Sequence, residues 1–290
     1  MQLEHLSWFP GHMTKTRRMI EAEIGGMDAV CEIVDARIPL SSRNPDLDEL
    51  TAGKPRMVVL AHVDQADPEL TKRWAAWFRA QGWATLEVDA RTGVGVRQFA
   101  PAVRALLKDK LAAYEAKGQV GRVMRLMVLG IPNVGKSSFI NQVAGRKTAR
   151  AEDRPGVTRA KQWVPVDKTL ELLDTPGILW PRFDDPAVGV RLAFTGAIRD
   201  EVLDVEELAM RLMEYLGAHY PDALSARYKI LVEDGDDGWT LLNKAGRRRG
   251  LLISGGEVDT ERMSRVLLDE FRSGKLGRFT LETPPEDDHA

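Results

Sequence analysis

The sequence predicts an α/β domain built on a largely parallel sheet, joined to a smaller helical domain. Three observations predict it. Apolar runs at 29–34, 57–60, 84–88, 123–129 and 170–173 alternate with helical patterns, the arrangement that yields parallel strands with their loops gathered at the C-terminal edge. A glycine-rich loop at 130–138 stands between one such run and a helical pattern. After residue 177 the strand-like runs stop, and a Pro- and Gly-punctuated stretch leads into amphipathic helices. The expected division is 1–180 and 181–290.

In chain order, the first apolar run holds Cys31, the single cysteine of the 290 residues. It is expected to be buried in a strand, which leaves no disulfide framework and suits a reducing cytoplasm. Asp67 and Pro68 mark a helix start; Leu70, Trp74, Trp77 and Phe78 follow at helical spacing, and Gly82 ends the run. That tryptophan stripe is expected in the core. In the second domain Asp204 is a candidate N-cap with Glu207 behind it, and Val205, Leu208, Ala209, Leu212 and Leu216 form a stripe closed by Gly217 and Pro221. A further helix is expected over 260–273, with Met263, Val266, Leu267 and Phe271 inward and Gly274 as its cap.

Composition narrows the class. Hydrophobic residues make up 43% and charged residues 29%, as in a soluble globular protein. No apolar run approaches membrane-spanning length, and the N-terminal stretch has no signal-peptide core. With 41 basic and 43 acidic residues the net charge is -2, so global charge does not announce a nucleic-acid partner. Basic residues do cluster locally, at Lys15, Arg17 and Arg18 and at Arg247, Arg248 and Arg249. Such clusters bind phosphates or are simply solvated.

The loop at 130–138 reads GIPNVGKSS and fits G-x-x-x-x-G-K-[ST], with Gly130, Gly135, Lys136 and Ser137 at the required spacing. Between a strand and a helix this is a phosphate cradle. Backbone N–H groups of Asn133, Val134, Gly135 and the helix start, through Ser138, face the phosphates. Lys136 reaches the β and γ phosphates and the Ser137 hydroxyl ligates Mg²⁺. Downstream, DTPG (174–177) sets Asp174 at a strand end as a metal-side carboxylate, with Gly177 N–H toward the γ-phosphate. Between them, RPGVTR (154–159) offers Thr158, which either closes on Mg²⁺ when the γ-phosphate is present or is an ordinary loop threonine.

No base-reading element follows these parts, but one candidate precedes them. AHVD (61–64) and EVDARTGVG (87–95) resemble, in degenerate form, the Asn-Lys-x-Asp and Ser-Ala-Lys elements of GTPases. Asp64 matches, and its carboxylate can accept from guanine N1–H and the exocyclic amine. Ala61 and His62 stand for the usual Asn and Lys; Asp89 and Arg91 stand for Ser and Lys, with Ala90 kept. Base-reading elements first, then the phosphate loop, then the switches is a circular permutation of the Ras-like P-loop GTPase domain. In this the chain resembles the circularly permuted GTPases of ribosome assembly, specifically the ribosome biogenesis GTPase A family. WFPGHMTKTRR (8–18), VDARIPLSSRNP (34–45) and the stretch from RRRGLLISGG to GRFTLE (247–282) resemble that family's signatures, so the resemblance covers nearly the whole chain.

The resemblance implies a cytoplasmic GTPase that binds GTP and GDP with Mg²⁺. It implies slow hydrolysis unless stimulated by the large ribosomal subunit precursor, through rRNA and ribosomal proteins, with no membrane or DNA partner. The helical domain would then bind RNA or the ribosome. The position after DTPG is Ile178, which cannot orient water as the usual glutamine does. The family implies His12 as the substitute; otherwise His12 belongs to a docking segment. Asn133 matches the asparagine that K⁺-activated GTPases use to ligate the cation. Two rival readings remain: an RNA- or ribosome-binding module with a weakened nucleotide site, motivated by Ala61 and His62, and a P-loop ATPase or small-molecule kinase, which the motif order and Asp64 oppose.

Overall fold

The computed structural model describes residues 11–145 and 161–285. They fall into two compact units. One runs to Arg182 and resumes at Phe279; the other is Phe183–Arg278.

The first unit is a six-stranded sheet. Its strands are β1 (Ala29–Asp35), β2 (Arg56–Ala61), β3 (Ala84–Glu87), β4 (Met124–Gly130), β5 (Gln162–Pro165) and β6 (Leu170–Asp174). They lie in the order β3-β2-β1-β4-β6-β5. All neighbours are parallel except β5, which runs antiparallel to β6. Counted from β4 as the first strand, this becomes the 2-3-1-4-5-6 order of a Ras-like sheet. The chain is therefore the same sheet opened at a different connection. β1 is central and wholly buried, Cys31 included.

Around the sheet lie α1 (Gly11–Glu23), the short α2 (Asp46–Leu50), α3 (Pro68–Ala80), α4 (Phe99–Leu106), α5 (Lys108–Ala116) and α6 (Lys136–Ala144). α3 starts as its sequence dictates. Asp67 accepts from the N–H groups of Glu69 (2.8 Å) and Leu70 (2.9 Å), and Pro68 occupies the first turn where no N–H is needed. Trp74 and Phe78 are buried with Val34, Val58 and Leu60, and Trp77 packs at their edge. The aromatic stripe is core. Glu32, buried in β1, is held by Arg43 (3.3 Å) and Arg56 (3.2 Å), so its charge is matched inside the sheet.

The second unit comprises α7 (Pro186–Phe194), α8 (Val205–His219), α9 (Pro221–Tyr228), α10 (Gly238–Arg248) and α11 (Thr260–Arg272). Asp204 caps α8 by accepting from Glu207 N–H (3.0 Å). Gly217 does not close that helix, which continues to His219. A Cβ there would stand 2.7 Å from Leu241 Cδ1, so the glycine admits α10. Glu270 of α11 knots the unit together. It accepts from Arg227 (2.6 and 3.0 Å), from the Tyr228 hydroxyl (3.0 Å) and from Arg249.

The last described segment departs from the expected division at 180/181. From Phe279 the chain belongs to the first unit, where Phe279 N–H donates to Gln65 O (2.8 Å) and Leu281 N–H to Arg37 O (2.7 Å). Pairing across more than two hundred residues leaves no local pattern to read.

Candidate nucleotide-binding site

β4 delivers the chain into the loop at 131–135, and α6 begins at Lys136. Gly135 has φ 88° and Asn133 φ 57°, both in the left-handed region. That path turns successive N–H groups to one side, toward the start of α6, where helix N–H groups lack intrahelical acceptors. The result is a backbone anion cradle. Ser137 is half-buried in the first turn of α6 and Ser138 is exposed beside it.

Lys136 and Asp174 face each other across the cradle. Lys136 Nζ lies 3.8 Å from Asp174 Oδ1, an ion pair too long for a hydrogen bond. Burial lowers the Lys136 pKa, opposed by Asp174; burial raises the Asp174 pKa, opposed by Lys136. Asp174 Oδ1 is buried and accepts no hydrogen bond among the described residues. A buried carboxylate oxygen that no hydrogen bond uses is a hard donor, which fits Mg²⁺.

DTPG is laid directly on the phosphate loop. Thr175 Oγ1 donates to Val128 O (2.7 Å) and Ile178 N–H to Gly130 O (3.1 Å). A Cβ at Gly177 would stand 2.7 Å from Pro132 N and 2.8 Å from Pro132 Cα, so only glycine fits there. Ile178 is buried, as suits a residue that does not orient water. α1 reaches the same place: Leu179 N–H points at Met13 Sδ (3.4 Å). His12 is the residue before Met13 in that helix. Its side chain, and Thr158, lie outside the described residues.

The base-reading candidates sit at the ends of the next strands. Ala61 is the last residue of β2. His62 follows at φ 58°, and its Nε2 lies 3.1 Å from where a Cβ on Gly135 would be, so the imidazole packs on the glycine of the phosphate loop. Asp64 faces Arg91 of the 89–95 loop (3.3 Å). Asp89 is buried and turned into its own loop, accepting from Arg91 N–H (2.8 Å), Thr92 N–H (3.2 Å) and the Thr92 hydroxyl (2.5 Å). Its oxygens shape the loop that presents Ala90 and are not offered outward.

The sequence reading missed what holds these loops. In the run 34–45, Arg37 is clamped by Asp35 (2.7 and 2.9 Å) and donates to Gln65 Oε1 (2.8 Å). Asn44 Nδ2 donates to Ile178 O (3.4 Å). The basic clusters are partly consumed too. Arg17 binds Glu21 and Asp46, and Arg249 binds Glu270.

A strand order that matches a rotated Ras-like sheet, with the candidate base loops, phosphate loop and DTPG at one edge, defines a circularly permuted P-loop GTPase. The family described as 50S ribosome-binding GTPase matches over residues 125–225. Ribosome biogenesis GTPase A of Bacillus cereus is 47% identical, over 97% of this chain and 95% of that one. The mouse mitochondrial ribosome-associated GTPase 1 is 32% identical, over 95% and 89%. GNP-bound YlqF from T. maritima superposes with TM-score 0.64 at 26% identity, covering 93% of this chain and 99% of that one. GDP-bound YlqF gives 0.65. The chain belongs to the ribosome biogenesis GTPase A family.

Proposed function

We propose that this GTPase acts in assembly of the large ribosomal subunit as a nucleotide-dependent switch, slow alone and stimulated by the ribosomal particle. The single observation that carries the switch is the DTPG loop seated on the phosphate loop, with Gly177 against Pro132 and Asp174 opposite Lys136. A γ-phosphate must enter between these parts, so its presence or loss is felt at once by the segment that leads on into residues 183–278. The relatives, a ribosome biogenesis GTPase and a ribosome-associated GTPase by name, supply the ribosomal context.

In this reading Lys136 binds the β and γ phosphates while N–H groups of 133–138 wrap them. Ser137 and Asp174 would hold Mg²⁺, with Thr158 joining when GTP is bound, and the ion would supply positive charge at the phosphates. Asn133 would hold K⁺, which would supply the positive charge that an arginine finger gives elsewhere. Asp64 selects guanine, with the backbone of Asp89 and Ala90 closing the base site. His12, which precedes Met13 in α1, positions the attacking water once the particle is engaged. The helical unit, with Arg247 and Arg248, contacts rRNA or ribosomal protein. Among the described residues no helix is long and apolar enough to cross a membrane, and the setting is the cytoplasm.

The test is phosphate release from GTP with and without purified large subunits or their precursors, in K⁺ and in Na⁺. Stimulation that requires both the particle and K⁺ is expected. A rate indifferent to the particle contradicts the assembly role, and equal rates in the two salts contradict the Asn133 assignment.

A further inference from the structure

Two signature segments remain without a role in nucleotide chemistry: the run 34–45 and the last residues, Phe279–Glu282. They interlock. Phe279, Thr280 and Leu281 are all buried. Phe279 N–H donates to Gln65 O (2.8 Å), and Leu281 N–H donates to Arg37 O (2.7 Å). The Thr280 hydroxyl donates to Ala36 O (3.1 Å) and accepts from Asp67 N–H (3.1 Å). Glu282 receives the N–H groups of Leu40 (2.7 Å) and Ser41 (3.1 Å) and the Ser41 hydroxyl, and its own carbonyl accepts from Trp74 Nε1 (3.0 Å).

These contacts converge on the loop that carries Asp64. Gln65 is fixed on its backbone by Phe279 and on its side chain by Arg37 (2.8 Å). Asp67 is fixed by Thr280, and it in turn starts α3, whose Trp74 holds Glu282. The loop also passes through His62 at φ 58°, a conformation that a side-chain-bearing residue keeps only when its surroundings enforce it.

We propose that residues 279–282 are a clasp that holds the guanine-reading loop in its binding geometry, with Thr280 and Glu282 as positioning residues. The proposal rests on the assignment of Asp64 as the guanine reader. It also gives the helical unit a covalent handle at each end. One chain end leads from DTPG and the γ-phosphate, and the other enters the clasp beside the base. By linkage, guanine binding tightens the clasp as much as the clasp tightens guanine binding.

The experiment compares affinities for GDP and inosine diphosphate, which lacks the amino group that Asp64 is to bind. It uses the full chain as wild type, Thr280→Val and Glu282→Ala. The wild type should prefer GDP by about tenfold, the scale of one unpaired hydrogen bond. Each variant should lose about threefold or more of that preference, while a merely less stable protein binds both ligands less and keeps the ratio. An unchanged ratio in the folded variants overturns the clasp. A wild type indifferent to the amino group overturns the Asp64 assignment, and the clasp with it. Hydrogen exchange on the wild type needs no variant: saturating GDP should slow the amides of Phe279 and Leu281. Exchange there unaffected by GDP overturns the proposal.

Discussion

Gly177→Ala tests the seating of DTPG on the phosphate loop. The added methyl would lie 2.7 Å from Pro132 N, 2.8 Å from Pro132 Cα and 3.0 Å from Ile131 C. Ordinary contacts begin near about 3.5 Å, so one loop must retreat by roughly 0.8 Å. All three neighbours are backbone, and none can rotate away as a side chain would. The Pro132 segment is the phosphate cradle itself, and the DTPG loop is tied to it on both sides of Gly177, by Thr175 and by Ile178. The loops therefore part, and Gly177 N–H moves away from the place proposed for the γ-phosphate. Misplacement on the order of 1 Å costs about 10²-fold in rate, and the overpacking itself costs about 1–3 kcal/mol of stability. GDP has no γ-phosphate and should bind within about threefold of the wild type. Single-turnover GTP hydrolysis and GDP titration on the same preparation check both halves. Wild-type turnover alongside normal GDP binding would show that this close approach is not part of the working site.

Arg91→Ala should change GDP affinity by less than about fivefold. The Arg91 side chain is 77% exposed where it meets Asp64, and such pairs are worth about 0–1 kcal/mol; titration at low and high salt should also show a flatter salt dependence, and a larger loss would make Arg91 a direct ligand of the base. His12→Ala should leave GTP affinity intact and cut particle-stimulated hydrolysis by about 10²-fold; stimulation that survives confines His12 to docking. Glu270 is governed by burial, which raises its pKa, and by Arg227, Arg249 and Tyr228, which overcome it and hold the carboxyl down at about 2 against an ordinary 4.5. A depressed folded pKa gives stability that is present above 4.5 and lost as pH falls toward 2. Glu270→Gln should cost about 1–3 kcal/mol at neutral pH, and denaturant midpoints of variant and wild type should converge as the solution is acidified below 4.5; a gap independent of pH would remove the carboxylate from the account.

Much of the first unit was readable because its signals are local. Asp67 and Pro68 cap α3 by their own chemistry, the apolar runs are strands because a parallel sheet is buried on both faces, and GIPNVGKSS turns from strand to helix within nine residues. The order of motifs in the chain announced the rotated sheet that the strand order displays. What stayed hidden is non-local. β5 has a short, half-exposed pattern and exists through its pairing with β6. Gly217 reads as a helix end in one dimension and is a packing contact in three. Asp89 resembles a ligand by position, yet its oxygens are used within its own loop. The return of Phe279–Glu282 to the first unit depends on partners such as Arg37 and Gln65, whose spacing along the chain carries no period. Arg249 lies in a basic triplet but neutralises Glu270, so a run of charge overstated the surface left for a partner.

The most direct measurement of the central claim is phosphate release from GTP and XTP by the wild type and by Asp64→Asn, at one Mg²⁺ concentration in K⁺, with large ribosomal subunits added. On the proposed assignment the carboxylate of Asp64 accepts from guanine, whereas an amide can donate to the oxygen that xanthine presents in place of the amino group. The account predicts a crossed result: the wild type hydrolyses GTP and neglects XTP, the variant does the reverse by about tenfold or more, and the ribosomal particle stimulates each matched pair. A variant that still uses GTP as the wild type does, or a wild type that uses XTP equally well, would contradict the assignment of Asp64 as the base reader of this permuted GTPase.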